Sequence, residues 1–350
     1  MVLEHQSYVM ILAGGSGKRL WPISRQDLPK QLLPVDGSQT LLEKTIDRME
    51  CIVPRERQLV ITSAPYEALV REMLSTDTVT VLAEPEARNT APAVMLGCAY
   101  LKKHDPHALV VIVPADHMIA DEVQFAHVVS KALAQAQREQ KIVLIGVKPE
   151  YPATGYGYIE VAHEKIDNYA GGFYAVKRFH EKPSLDVACF YAYSDNMLWN
   201  CGIICAPLSV LLAESERYMP HITDAFVGDG YCDDTFAERY AALPSVSIDY
   251  ALLEKTDKRA VVAGDFGWTD VGSLEAFIGA CRPPDQQKIL LFFDATHNSA
   301  YSNKLVIFSG VNDICVVDTG DMLLVTRRDL MDRSSEIAQQ MLEKGFVEYT

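Results

Sequence analysis

Tyr8-Val-Met-Ile-Leu-Ala-Gly-Gly-Ser-Gly-Lys-Arg-Leu20 decides how this chain is read: a short apolar run breaks into a glycine-rich turn that ends on two cations. The run is too short for a helix and reads as a buried strand. Beyond the turn, Thr40 to Glu50 carries apolar residues at helical spacing, and Gln58 to Ser63 is again strand-like. Pro65 to Leu74 reads as a helix, Val79 to Ala83 as a strand, and Ala91 to His104 as a helix. Ala108 to Val113, Val123 to Gln140 and Lys141 to Val147 continue as strand, helix, strand. Such alternation predicts an α/β fold with a mostly parallel sheet and helices on both faces.

The pattern changes after Pro149. Thr154 to Val161 and Phe173 to Phe179 read as longer, partly exposed strands separated by a Gly171-Gly172 turn. Helices are expected at Ser184 to Tyr193, Leu208 to Glu216 and Asp234 to Leu243, then a strand at Ala260 to Ala263 leading into Trp268-Thr269-Asp270. From Lys288 the chain turns to short β runs: Leu290 to Phe293, Lys304 to Phe308, Ile314 to Val317 and Met322 to Val325, closed by a helix from Ser335 to Glu343. A boundary is placed at Pro283-Pro284, giving a main domain of residues 1–284 and a β-rich segment of residues 285–350.

Composition narrows the function classes. The 350 residues are 49% apolar and 23% charged, ordinary for a folded chain. No apolar run is long enough to span a bilayer, and residues 1–8 lack a signal-peptide pattern, so a cytoplasmic protein is expected. The formal net charge of -15 disfavours non-specific contact with nucleic acid or an anionic membrane. The eight cysteines form no C-x-x-C pair and are expected to be reduced thiols rather than zinc ligands. No zincin or serine-hydrolase signature is present.

Against that acidic background the loop stands out. Ser16 to Gln31 holds Lys18, Arg19, Arg25 and Lys30 against Asp27 alone, a local charge of +3. Clustered like charge on one loop points to a polyanion partner. Two familiar phosphate loops are excluded. A P-loop needs Gly where Leu12 stands and Ser or Thr where Arg19 stands, and a dinucleotide fingerprint needs Gly at Leu20.

The stretch Leu12 to Pro34 (LAGGSGKRLWPISRQDLPKQLLP) closely resembles the signature of the sugar-phosphate nucleotidyltransferase family, and Trp21 with Lys30-Gln31 resembles its mannose-1-phosphate guanylyltransferase branch. The resemblance continues, in order, through Glu84 to Ala93, Pro114 to His117, Thr154 to Ile159, Phe179 to Pro183, Trp199 to Gly202, Ile248 to Tyr250, Trp268 to Ser273 and Gly310 to Thr319. It implies a Rossmann-like nucleotidyltransferase fold and a tail similar to a short left-handed β-helix, a segment that often makes homodimer contacts. It also implies Mg²⁺, GTP and mannose 1-phosphate as cofactor and substrates. Where some relatives continue into a cupin-type isomerase domain, this chain is expected to have the one activity.

In that chemistry a sugar phosphate oxygen attacks the α-phosphorus of the nucleotide. The nucleophile is already an anion, so positioning and charge neutralisation suffice. The resemblance assigns Leu12, Ala13, Gly14, Gly15, Ser16, Gly17, Lys18 and Arg19 to the triphosphate, with Arg19 on the departing diphosphate and Lys30 as a further phosphate cation. Asp116 and Asp270 are the expected metal carboxylates, although an Asp after a strand also reads as a helix cap. Glu181 and Lys182 are expected on the sugar hydroxyls and phosphate, with Asn200 on hydroxyls and Gly155 giving the sugar close approach. Glu84 suits guanine N1 and N2. Asn89 and Thr90 are expected on the nucleotide or as helix caps. His117, Arg88, Tyr156 and Tyr158 receive no role. Cys201 and His180 depart from the family pattern where Ser and Val are usual. Two alternatives remain at this point: another sugar phosphate or nucleotide, and a silent nucleotide-sugar-binding subunit.

Overall fold

Leu109 to Val113, Ile142 to Val147 and Val9 to Ile11 are continuous apolar runs, and each is buried along its length. Strands covered on both faces need no polar alternation. The computed structural model describes residues 6–15, 17–35, 39–74, 78–226, 231, 233–280 and 290–349. These divide into two compact units that do not follow sequence order.

The first unit comprises Met1–Gly14, Thr45–Ala115 and Ile119–Trp268. Its strands are β1 (Ser7–Leu12), β2 (Gln58–Ser63), β3 (Thr80–Glu84), β4 (Leu109–Pro114), β5 (Ile142–Val147), β6 (Gly157–Val161), β7 (Gly172–Glu181), β8 (Met197–Pro207) and β9 (Arg259–Gly264). They form one nine-stranded sheet in the order β3-β2-β1-β4-β8-β5-β9-β7-β6, with β8 also pairing to β6. Only β1–β2, β2–β3, β1–β4 and β5–β9 are parallel. The expectation of a mostly parallel sheet is therefore corrected to a mixed one. The cause is β8, which enters between β4 and β5 and runs against both, together with the antiparallel β6–β7 hairpin beside β9. Helices such as Thr90–His104, Glu122–Glu139 and Leu208–Tyr218 supply apolar residues that cover the sheet.

A bulge in β8 aims a side chain. Its register against β5 shifts between Leu144 and Gly146, and Gly202 adopts φ +66°, a left-handed conformation that favours glycine. Bulges turn strand side chains out of simple alternation. Asn200 lies at this irregularity, opposite Gly146.

The second unit comprises Gly15–Lys44, Asp116–Met118 and Thr269–Thr350. Its core joins Leu20, Ile23, Leu33 and Leu41 to Val271, Phe277, Ile278, Cys315, Val317 and Met331. Five short strands follow: β10 (Leu290–Phe293), β11 (Ser299–Tyr301), β12 (Val306–Ser309), β13 (Ile314–Asp318) and β14 (Leu323–Arg327). β10 pairs parallel with β12, and β11 parallel with β13, each partner 16 residues further on, while β14 turns back antiparallel on β13. A constant offset in two successive parallel pairs describes a coil. Asn298 supports it, accepting from Ile314 N at 2.8 Å and donating to Val311 O at 2.8 Å. The expected boundary at Pro283-Pro284 lies outside the described residues.

Candidate active site

In the first unit, β1 ends at Leu12, and Ala13 still donates its N–H to Ile61 O of β2 at 2.7 Å. Gly14 follows. A Cβ there would stand 2.6 Å from Glu84 Oε2, so the missing side chain is what lets the Glu84 carboxylate lie against this backbone. Glu84 ends β3 and is only 3% exposed. Its other oxygen accepts from the buried Tyr240 hydroxyl at 2.7 Å. Burial pushes the Glu84 carboxyl up to about 7, although the Tyr240 hydrogen bond favours the charged form. Asn89 caps the helix that opens at Thr90, its Oδ1 accepting from Thr90 N at 2.8 Å, and Thr90 Oγ1 accepts from Ile248 N at 2.8 Å.

A second cluster of the same unit gathers around Glu181 and Lys182. The Lys182 ammonium is 3.4 Å from Glu181 Oε1, and Lys182 itself sits at φ +46° with its N–H bonded to Tyr156 O at 3.2 Å. A lysine in the left-handed region is a strained placement, of the kind that clusters at functional sites. The Glu181 N–H donates to Glu254 Oε1 at 3.0 Å, and Asn200 Nδ2 donates to Asp249 Oδ1 at 3.1 Å. Burial and the neighbouring Asp249 and Glu254 carboxylates hold Glu181 above the ordinary range against the pull of Lys182. Gly157 makes room here, since a Cβ would lie 2.5 Å from Glu181 Oε2 and 3.3 Å from Asn200 Cβ. Gly155 has open space around it. Tyr156 packs edge-on against Trp199 and Trp268, with ring centres 5.1 and 5.2 Å apart. Asp249, Glu254, Tyr240 and Gly157 are the residues that the sequence alone does not single out for a role.

The second unit holds the cationic loop. Gly15 is exposed and open, and Ser16 lies outside the described residues. Gly17 adopts φ +66° and packs on Lys30, where a Cβ would come within 2.5 Å of Lys30 Cβ and 2.8 Å of its N. Lys18 and Arg19 follow in a 3₁₀ turn, exposed and making no ion pair among the described residues. Lys30, by contrast, is 8% exposed. Its ammonium donates to Asp116 Oδ2 at 2.8 Å and to the Asp270 carbonyl at 2.7 Å. Burial would raise the Asp116 carboxyl, but Lys30, with His117 nearby, outweighs it and holds the group below its ordinary value. Asp270 Oδ1 accepts from Gly272 N at 2.9 Å.

One lysine thus ties the Asp116 carboxylate to the backbone of Asp270, the two residues expected to hold metal. Among the described residues no group of three or more His, Cys, Asp or Glu could hold an ion unaided. Two hard carboxylates completed by phosphate oxygens are a donor set that suits a small divalent cation.

Residues 8–285 match the model of the nucleotidyl transferase family. The chain is a nucleotidyl transferase. It is 35% identical to the xanthan biosynthesis protein XanB of Xanthomonas campestris pv. campestris, over 97% of this chain and 74% of that one. It is 34% identical to the mannose-1-phosphate guanylyltransferase of Escherichia coli K12, over 99% of this chain and 76% of that one. Among solved structures, a Thermus thermophilus protein described as a mannose-1-phosphate geranyltransferase superposes with a TM-score of 0.85 at 31% identity, over 96% of the nucleotidyl transferase and 99% of its own chain. No helix among the described residues is long and apolar enough to cross a membrane.

Proposed function

We propose that this nucleotidyl transferase joins GTP to α-D-mannose 1-phosphate, releasing diphosphate and GDP-mannose. What carries this reading is likeness over nearly the whole chain to relatives named mannose-1-phosphate guanylyltransferase. Three features of the chain support it. Glu84, laid against Gly14, suits in its ionised form the N1 and N2 donors of guanine, which adenine cannot match. Glu181, Asn200 and Lys182 suit sugar hydroxyls and a sugar phosphate. The loop from Leu12 and Ala13 through Gly17, with Lys18, Arg19 and Lys30, suits a triphosphate.

In this mechanism Lys182 fixes the attacking phosphate in line with the α-phosphorus. Arg19 and Lys18 neutralise the diphosphate as it leaves. Asp116 and Asp270 would hold Mg²⁺, which when bound supplies charge neutralisation across the phosphates.

A cytoplasmic location and a homodimer belong to the same proposal. The exposed Leu291, Phe292 and Phe293 of β10, beside Ile307 of β12, offer an apolar face for a second copy. The left-handed winding of the tail coil is also proposed, from the resemblance of its sequence.

The test is diphosphate release by purified protein across a grid of nucleoside triphosphates and sugar 1-phosphates, with Mg²⁺ or chelator, and with Asp116→Ala alongside. Signal confined to GTP and mannose 1-phosphate, lost with chelator and in the variant, is expected. A different pair would replace the substrates. Binding of GDP-mannose without any turnover would make the chain a silent subunit.

A further inference from the structure

The stretch that follows the phosphate loop is tied down by residues some 300 positions further along, all within the second unit. Ser334, 1% exposed, donates its hydroxyl to the Arg19 carbonyl at 2.7 Å. Trp21, 3% exposed, donates Nε1–H to the Tyr349 carbonyl at 2.6 Å. Arg25 grips both carboxylate oxygens of Asp321, at 2.5 and 2.7 Å, and donates to Thr319 Oγ1 at 3.0 Å. From inside the loop, Ser24 Oγ donates to the Gly17 carbonyl at 2.6 Å. The segment from Gly17 to Arg25 is therefore held at four points, two on its backbone (Gly17 O and Arg19 O) and two through the side chains of Trp21 and Arg25. The side chains of Lys18 and Arg19 are left exposed, without ion pairs among the described residues.

This is the arrangement expected of cations that must meet charge as it develops. A fixed backbone removes orientational freedom before the reaction instead of during it. Surface ion pairs alone carry little, but a bidentate Arg–carboxylate pair backed by hydrogen bonds from two buried side chains, Ser334 and Trp21, is specific in direction. The match to the family model ends at residue 285, so Thr319, Asp321, Ser334 and Tyr349 all lie beyond it.

We propose that Thr319 to Tyr349 is a brace that positions the diphosphate-handling loop, with Ser334, Asp321 and Arg25 as positioning residues that act through Arg19 and Lys18. The proposal rests on the reading that this loop takes the nucleotide phosphates. The brace sets how well those phosphates are held and how fast diphosphate leaves, and it leaves sugar phosphate binding alone.

Ser334→Ala and Asp321→Asn test it in the full chain. Thermal unfolding is read beside KM for GTP, KM for mannose 1-phosphate, kcat, and the affinity for Mg·diphosphate measured by direct binding. A variant that is folded at the assay temperature is expected to lose about tenfold or more in GTP KM or diphosphate affinity, since small misplacements of reacting groups cost up to about 100-fold. Its mannose 1-phosphate KM is expected to stay within about twofold of the wild type, well under the tenfold that a 1.4 kcal/mol loss would give. Unchanged GTP and diphosphate constants in either folded variant would overturn the brace. So would an equal loss for both substrates that tracks the fall in unfolding temperature. Wild-type protein inactive with every substrate pair would overturn the proposed function instead, and diphosphate binding would still decide the brace.

Discussion

Lys30 Nζ stands 2.8 Å from Asp116 Oδ2, so a residue expected to bind phosphate is paired with one expected to bind metal. If both act in one reaction, they act as a unit. Lys30→Ala and Asp116→Ala should each lower kcat by about 10²–10³, the scale for removing one preorganised charge. The double variant should lose little more than the worse single variant, because paired catalytic groups are not additive. Steady-state kinetics on the three variants checks this, and losses that multiply would show the pair to be incidental.

Glu84 sets a pH dependence of defined sign. Its carboxyl is held up to about 7 in the folded chain against an ordinary 4.5. The stability it contributes is complete below pH 4.5 and is lost as pH rises through 7, about 3 kcal/mol in all. Unfolding midpoints of wild type and Glu84→Gln, compared from pH 5 to 9, should diverge with the variant favoured at high pH. GTP binding should move the opposite way and tighten between pH 6 and 8, because guanine N–H groups need the ionised carboxylate. A flat difference between the two proteins would remove Glu84 from both roles.

Two loop glycines should fail differently. Gly17→Ala places a Cβ 2.5 Å from Lys30 Cβ at φ +66°, and should cost about 1–3 kcal/mol of stability. Gly15→Ala meets nothing within 4 Å and should unfold within about 0.5 kcal/mol of wild type. It should nonetheless raise the GTP KM if phosphate approaches that backbone. Denaturation and KM measured on both variants separate the two effects.

Phe292→Asp tests the proposed apolar contact. A homodimer closed through β10 should become a monomer by light scattering while the single chain stays folded by circular dichroism, since Phe292 is exposed in it. An unchanged mass would place the contact elsewhere.

Sequence reading finds the strands with continuous apolar runs, such as β1, β4 and β5, and also the more polar β6 and β7, which flank a Gly171-Gly172 turn. β8 escapes it because Met197 to Pro207 mixes Asn200, Gly202 and two cysteines into a strand buried along nearly its whole length. Neither alternation nor a pure apolar run is there to be read, and the direction of β8 in the sheet is set by tertiary pairing. The loop cations are visible as charge contrast, and Asp116 and Asp270 as carboxylates ending strand-like runs. Tyr240 is not visible, since it reaches Glu84 across 156 residues with no spacing to mark it. Asp249 lies in a quoted motif, yet its bond to Asn200 depends on the bulge in β8. Lys30 looks like a phosphate cation, and nothing in its neighbourhood announces that it would be buried against Asp116.

The second unit draws its core from both distant parts of the chain: Leu20, Leu33 and Leu41 pack with Val317 and Met331. On a ribosome adding 5–20 residues per second, the early partners wait roughly 15–60 s for the late ones to be made. The cationic loop is thus threaded out first and settled last. Until Met331 has emerged, a nascent chain can build most of its large sheet yet has no finished seat for Leu20 or Leu33, and those apolar side chains are what a chaperone would meet.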